Sequence, residues 1–224
     1  TTPEGLSIDE TVAVVARAGV ADEAGLDRAF RDPTPVRGFD ARAEDLEGYL
    51  FPGTYRFSPG LDAGRVARAM VRAFQRRFAQ PDAAAIAASG RTPREIVTLA
   101  SLVEKETARP EERPRIAGVF ISRLERGMKL QCDPTVIFAA RRRKSYSGDI
   151  RRVDLERDDP YNTYVHAGLP PGPIASPGLL SLRAALHPER GDELYFVSRG
   201  DGTHAFSSTL DAHNRAVRKY HAPR

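Results

Sequence analysis

Two glutamates, Glu104 and Glu106, stand close to the end of a segment, Thr92 to Thr107, that reads as a helix. At about 100° per residue, Ile96, Leu99, Leu102, Val103 and Glu106 fall on one side of it. Glu104 falls roughly opposite, near Val97. Glu106 therefore continues an apolar stripe, where a carboxylate is costly unless paired. A carboxyl in such a setting has a raised pKa and can keep its proton near neutral pH. A general acid acting on a glycosidic oxygen needs that property. The competing reading is a helix-end glutamate that reaches solvent or pairs with Lys or Arg. Glu104 is the lesser candidate.

The elements around this helix follow from local signals. Thr92 is its expected cap and Pro93 its first helical residue. Ile8 to Gly19 reads as a first helix, capped by Ser7 with Glu10 as capping-box partner. The stretch 46–57, dense in aromatics and turn formers, predicts a short strand with a tight Pro-Gly turn. Ala63 to Phe78 is a basic amphipathic helix with Val66, Met70, Phe74 and Phe78 inward. Pro114 to Gly127 is a further helix, and Asp133-Pro134 reads as a cap followed by helix through Ala140. Arg141 to Lys144 predicts an exposed basic loop, a solvated run before it is a site. Tyr161 to Pro177, rich in proline and glycine, is a structured loop. Ser176-Pro177 starts a helix to about Leu186. Leu194 to Ser198 and His204 to Ser207 flank Asp201-Gly202 as a hairpin. A last helix runs from about Leu210 to Tyr220. The class is α+β: a helix-rich domain with small segregated β-sheets, including a C-terminal hairpin.

Composition bounds the function. The 224 residues carry 34 Lys+Arg against 30 Asp+Glu, a net charge of +4, and 41% hydrophobic residues, which excludes a disordered chain. With one cysteine, Cys132, an internal disulfide and a cysteine-based zinc site are both excluded. His204 and His213 lack a third metal ligand at a recognisable spacing, so no metal is expected. No apolar run is long enough to span a membrane, and the chain begins at Thr1-Thr2-Pro3, so any anchor is expected upstream.

Five blocks, in order, resemble the YceG-like endolytic murein transglycosylases, the MltG family. They are Leu46-Glu47-Gly48-Tyr49-Leu50-Phe51-Pro52-Gly53-Thr54-Tyr55, Ala100 to Ala108, Val119 to Leu124 continuing through Met128 to Val136, Tyr161 to Tyr164 with Gly168 to Ile174, and His204-Ala205-Phe206-Ser207 with His213-Asn214. The resemblance implies an enzyme that cuts the MurNAc-GlcNAc β-1,4 bond within peptidoglycan strands and leaves 1,6-anhydro-MurNAc ends, without a cofactor. The substrate's own C6 hydroxyl attacks C1, so one acid/base carboxyl is enough. By resemblance that carboxyl is Glu106, the residue the helical face also selects.

The other blocks resemble walls of a glycan cleft. Gln131, Asp133 and Thr135 could hydrogen-bond sugar or peptide groups, although Asp133 could equally be a helix cap. Asn162, Thr163 and Tyr164 sit on a loop stiffened by prolines, a suitable platform for polar groups aimed at a ligand. His204 and Glu104 complete the candidate binding residues. Tyr49 and Tyr55 divide between core packing and sugar stacking, with core favoured. Cys132 departs from the hydroxyl residue expected at its place in the motif.

The resemblance further implies an N-terminal membrane helix, a catalytic domain on the outer face of the plasma membrane, and work beside cell-wall synthases such as penicillin-binding proteins. Residues 1–45 are expected to be a lead-in segment, or part of a LysM-like or accessory subdomain; residues 46–224 are expected to be the catalytic domain. Three other functions compete. A non-catalytic peptidoglycan-binding module would use the same cleft. A PLP-dependent aminodeoxychorismate lyase, a label the family has carried, needs a Schiff-base lysine and a phosphate cradle, and none of Lys105, Lys129, Lys144 and Lys219 follows a Gly-rich loop. A nucleic-acid binder would rest on charge alone.

Overall fold

The computed structural model describes residues 1–221. Ser7 and Glu10 close the expected capping box over the first helix, α1 (Ile8–Arg17). It is followed by α2 (Glu23–Phe30), α3 (Ala63–Phe74) and α4 (Ala83–Ala88). Thr92 caps α5 (Pro93–Glu106), accepting from the Glu95 N–H while the Glu95 carboxylate takes the Thr92 N–H at 2.7 Å. Next come α6 (Arg113–Glu125), α7 (Asp133–Arg142), α8 (Arg152–Glu156) and α9 (Leu179–Leu186). Strands β1 (Tyr195–Ser198) and β2 (His204–Ser207) pair antiparallel, with Phe196 opposite Phe206 and Ser198 opposite His204. Helix α10 (Leu210–His221) closes the described chain. The class is α+β, with the sheet confined to one hairpin near the C-terminus.

Helix α5 is central. It is buried on every face from Ile96 to Val103, not along one stripe alone, because α9, α6 and α7 pack around it. Ser101 ties the proline-rich loop to it: its hydroxyl donates to the Thr98 carbonyl at 2.7 Å and accepts the Ile174 N–H at 3.1 Å. The first residues join the same body. Thr2 pairs with Gly53 and Leu6 with Ser176. Ile8, Val12, Leu26, Phe30 and Val36 share one buried cluster with Phe74, Ile96 and Phe120.

Several elements differ from expectation for local reasons. Segment 46–57 is not a strand; only Gly53 pairs, with Thr2. Gly48 turns the chain there at φ +86°, where a Cβ would meet Pro173 at 2.5 Å. Tyr49, fully buried, donates its hydroxyl to Asp40 at 2.7 Å. Tyr55 donates to the Phe51 carbonyl at 2.6 Å and stacks on Phe57. Helix α3 passes at Phe74 into a π-helical turn, Gln75–Ala79, which keeps Phe78 buried. Asp133 is the first residue inside α7, not its cap; Cys132 holds that place. The basic run is exposed at Arg141, Arg142 and Lys144, as expected, but it begins as the end of α7 and not as a loop. Arg141 and Arg142 are helical, Arg141 pairs with Glu10, Arg142 lies over the rings of Phe138 and Tyr161, and Arg143 pairs with Asp159. The short helices α2, α4 and α8 carry too little periodicity to read from sequence.

Candidate active site

Glu106 is the last residue of α5. Beyond it Thr107 takes extended backbone, and its N–H closes the helix on the Val103 carbonyl at 3.4 Å. The helix end thus delivers Glu106, half-buried, to the wall of an open cleft of about 590 Å³. Thr107, Arg123, Gln131, Asp133, Tyr164 and His204 line the cleft with it. The hairpin contributes Phe196 and Ser198 to the opposite wall, and α10 contributes His213.

Burial pushes the Glu106 carboxyl up to about 6. A hydrogen bond from the Cys132 thiol and the cationic side of His204 and Arg123 pull it down, and the charge of Asp133 pushes it up. The Cys132 thiol is driven well above its ordinary range by burial and by Glu106, so it stays a neutral donor. Cys132 is held from behind. Its N–H donates to Thr163 Oγ1 at 3.0 Å, and its carbonyl accepts the Thr135 hydroxyl at 2.7 Å.

Each neighbour of Glu106 has its own support. Arg123, on α6, donates to the Leu194 carbonyl at 2.6 Å and to the Leu130 carbonyl at 2.8 Å, so it locks the hairpin entry to the loop before α7. Burial lowers its pKa. Glu112, in the 3₁₀ turn after α5, accepts the His204 N–H at 2.9 Å and bonds His204 Nδ1 at 2.7 Å. Burial works to raise the Glu112 carboxyl, but these bonds hold it below the usual range. Tyr164 donates its hydroxyl to Asp133, and burial followed by that bond raises the phenol strongly. Gln131 sits in left-handed backbone at φ 51°, uncommon for a residue with a Cβ, and its N–H donates to the Thr163 carbonyl at 3.1 Å.

The structure divides the sequence-selected residues in two. Glu106, Gln131, Asp133, Tyr164 and His204 meet at the cleft. Thr135, Asn162 and Thr163 do not reach it; all three are buried behind its wall. Asn162 has no amide group to offer a ligand: its Nδ2 donates to the carbonyls of Asp154, Leu155 and Arg157, and its Oδ1 accepts the Tyr164 N–H. Glu104 does not line this cleft. Its side chain is 6% exposed, pairs with Arg113 at 3.2 Å and accepts the Gly178 N–H at 2.9 Å. Arg123, which lines the cleft, and Glu112, which holds His204 in it, are residues that sequence reading missed. A buried arginine and a loop glutamate leave no periodic signal.

Among the described residues, no group of three or more His, Cys, Asp and Glu is placed to hold a metal ion, and no helix is long and apolar enough to cross a membrane.

Residues 1–219 match the model of the YceG-like family. An endolytic murein transglycosylase of Bacillus subtilis is 41% identical over 78% of this chain and 48% of its own length. One from Streptococcus pneumoniae is 33% identical over 98% of this chain and 44% of its own. The chain thus spans about half the length of the curated relatives it matches. A crystal structure of a YceG-like protein from Listeria monocytogenes superposes with a TM-score of 0.85 at 33% identity, covering 96% of this chain and 74% of that one. With the match running through the cleft and the helix that builds it, the chain belongs to the YceG-like family.

Proposed function

We propose that this chain is the catalytic region of an endolytic lytic transglycosylase. It cuts the β-1,4 bond between MurNAc and GlcNAc inside peptidoglycan strands and leaves 1,6-anhydro-MurNAc ends. One observation carries the reading: the Glu106 carboxyl is held near pKa 6 by burial in the wall of an open cleft of about 590 Å³. The names of the relatives, endolytic murein transglycosylases, point the same way.

The chemistry follows from that carboxyl. Protonated Glu106 gives its proton to the glycosidic oxygen as the C1–O bond breaks. The resulting carboxylate takes the proton of the C6 hydroxyl, whose oxygen closes on C1. The proton count balances, no water is consumed, and Glu106 ends protonated. The negative charge of Asp133 favours the protonated form at the outset, and also favours the positive charge that develops at C1. In this reading Gln131, Asp133, Tyr164 and His204 contact the strand, while Thr135, Asn162, Thr163 and Glu104 hold the wall from behind.

A glycan hydrolase is the second reading, because the cleft holds Asp133 as another carboxylate. Digestion of purified strands in ¹⁸O-water separates the two. The transglycosylase yields anhydro ends without ¹⁸O; a hydrolase yields reducing ends that carry it. A non-catalytic module yields neither. By extension of the family likeness, the longer protein is anchored in the plasma membrane with this region on the outer face, beside cell-wall synthases. Fractionation and cross-linking of the full-length protein test that placement.

A further inference from the structure

A second concavity has a volume of about 440 Å³. Lys105 and Pro134 line it, one residue along the chain from Glu106 and Asp133 of the first. Part of its wall is apolar and aromatic, from Ile137, Phe138, Tyr161 and Ile174, and charged side chains of both signs make up much of the rest. Glu47 also lines it, and this side chain belongs to no part of the mechanism above. Glu47 is 8% exposed. Its Oε2 accepts the Ile8 N–H at the start of α1, at 3.0 Å, and its Oε1 has no partner.

The cations around this cavity are already engaged. Arg31 pairs with Asp9 and Asp27, Arg141 pairs with Glu10, and Arg142 lies over Phe138 and Tyr161. Lys105 donates to the Gly5 carbonyl at 3.1 Å. The charges that act most on Glu47 are carboxylates: Asp45 just before it, and Asp9 and Glu10 on α1. None of these cations is among the charges that act most on Glu47. A metal ion would need a larger set of hard ligands than this. An alkylammonium needs one carboxylate and an apolar wall for its methylenes.

We propose that this cavity binds the primary ammonium of a ligand with an aliphatic stem, with Glu47 as its counter-ion and Phe138 and Tyr161 flanking the stem. Resting on the peptidoglycan reading above, the occupant is the amine-bearing diamino acid of a stem peptide on the same strand that crosses Glu106. Burial pushes the empty-site Glu47 carboxyl up to about 8, so it holds its proton at neutral pH. When the ammonium enters, the carboxyl O–H bond breaks, the proton goes to the buffer, and an ammonium–carboxylate pair remains.

Nα-acetyl-lysine methylamide is the probe, titrated at pH 7 by calorimetry in two buffers of different ionisation enthalpy, with the Ile8 amide followed by NMR. Expected are saturable binding, release of close to one proton per ligand, and a shifted Ile8 resonance. The norleucine analogue, which lacks the ammonium, binds at least tenfold more weakly. Glu47→Gln weakens lysine binding at least tenfold and abolishes proton release. Should that variant not fold, Ile137→Trp, which fills the cavity, gives the same loss. Equal binding of the two analogues, no binding, or binding without proton release overturns the site. Equal affinity for strands with and without stem peptides overturns the stem-peptide occupant. No strand is cut in these titrations, so their failure leaves the transglycosylase reading intact, and failure of that reading leaves their result standing.

Discussion

The Cys132 thiol donates to the Glu106 carboxylate from a fully buried position. The contact joins the start of α7 to the end of α5, and it partly offsets the effect of burial on the acid. A hydroxyl is a stronger donor than a thiol. Cys132→Ser should therefore lower the Glu106 pKa, and Cys132→Ala should raise it. Carbon-13 NMR titration of the glutamate carboxyls reads both; shifts in the opposite directions would show that the thiol does not hold Glu106.

Because the acid form begins the reaction, kcat/KM on isolated strands should fall as pH rises through about 6, by about a decade per pH unit. The pH profile of Cys132→Ser should have this limb displaced to lower pH. A wild-type profile flat from pH 6 to pH 8 would mean that protonated Glu106 is not the active form.

Glu47 and Glu106 both carry raised pKa values in the fold, about 8 and about 6, against about 4.5 when exposed. The folded state therefore binds more protons than the unfolded state between these limits, so stability is greatest below about pH 4.5 for these groups and is lost as pH rises toward 8. For Glu47 the change is on the order of 4 to 5 kcal/mol, at about 1.4 kcal/mol per unit. Denaturant melts from pH 5 to pH 8.5 should show the decline, and Glu47→Gln should flatten most of it. A wild-type curve rising over this range would contradict the burial of Glu47.

Arg113 and Glu104 form a pair in which both side chains are 6% exposed. Arg113→Met leaves the Glu104 charge without its partner and should cost about 3–5 kcal/mol. Adding Glu104→Gln should recover part of the loss, since Gly178 still needs an acceptor. Urea midpoints of the two variants and the double variant check this; simple additivity would deny the coupling.

Much of this arrangement was legible in the residues. The capping box at Ser7, the cap at Thr92 and the glycine after α6 set helix positions by local hydrogen bonding alone. Helical geometry separated Glu106 from Glu104, but the apolar stripe behind that choice does not distinguish them, because α5 is buried on every face and the Glu104 side chain is itself buried. Segment 46–57 was misread because its aromatics suit a strand, whereas no partner strand lies beside it and Gly48 is pressed against Pro173. Asn162 and Thr163 show the same limit. Polar residues on a proline-rich loop can face a ligand or satisfy buried carbonyls, and only tertiary packing decides between them. Arg123 and Glu112 act through contacts distant in sequence, to Leu194 and His204, which no local pattern encodes.

The central claim is that one proton, held by Glu106, passes to the glycosidic oxygen. Its most direct test is Glu106→Gln, nearly the same shape without an exchangeable acid proton, incubated with purified glycan strands and assayed by mass spectrometry for 1,6-anhydro ends. Loss of 10²–10⁴-fold in their rate of formation, with strand binding retained, is predicted. Anhydro ends formed by the variant as fast as by the wild type would contradict the account.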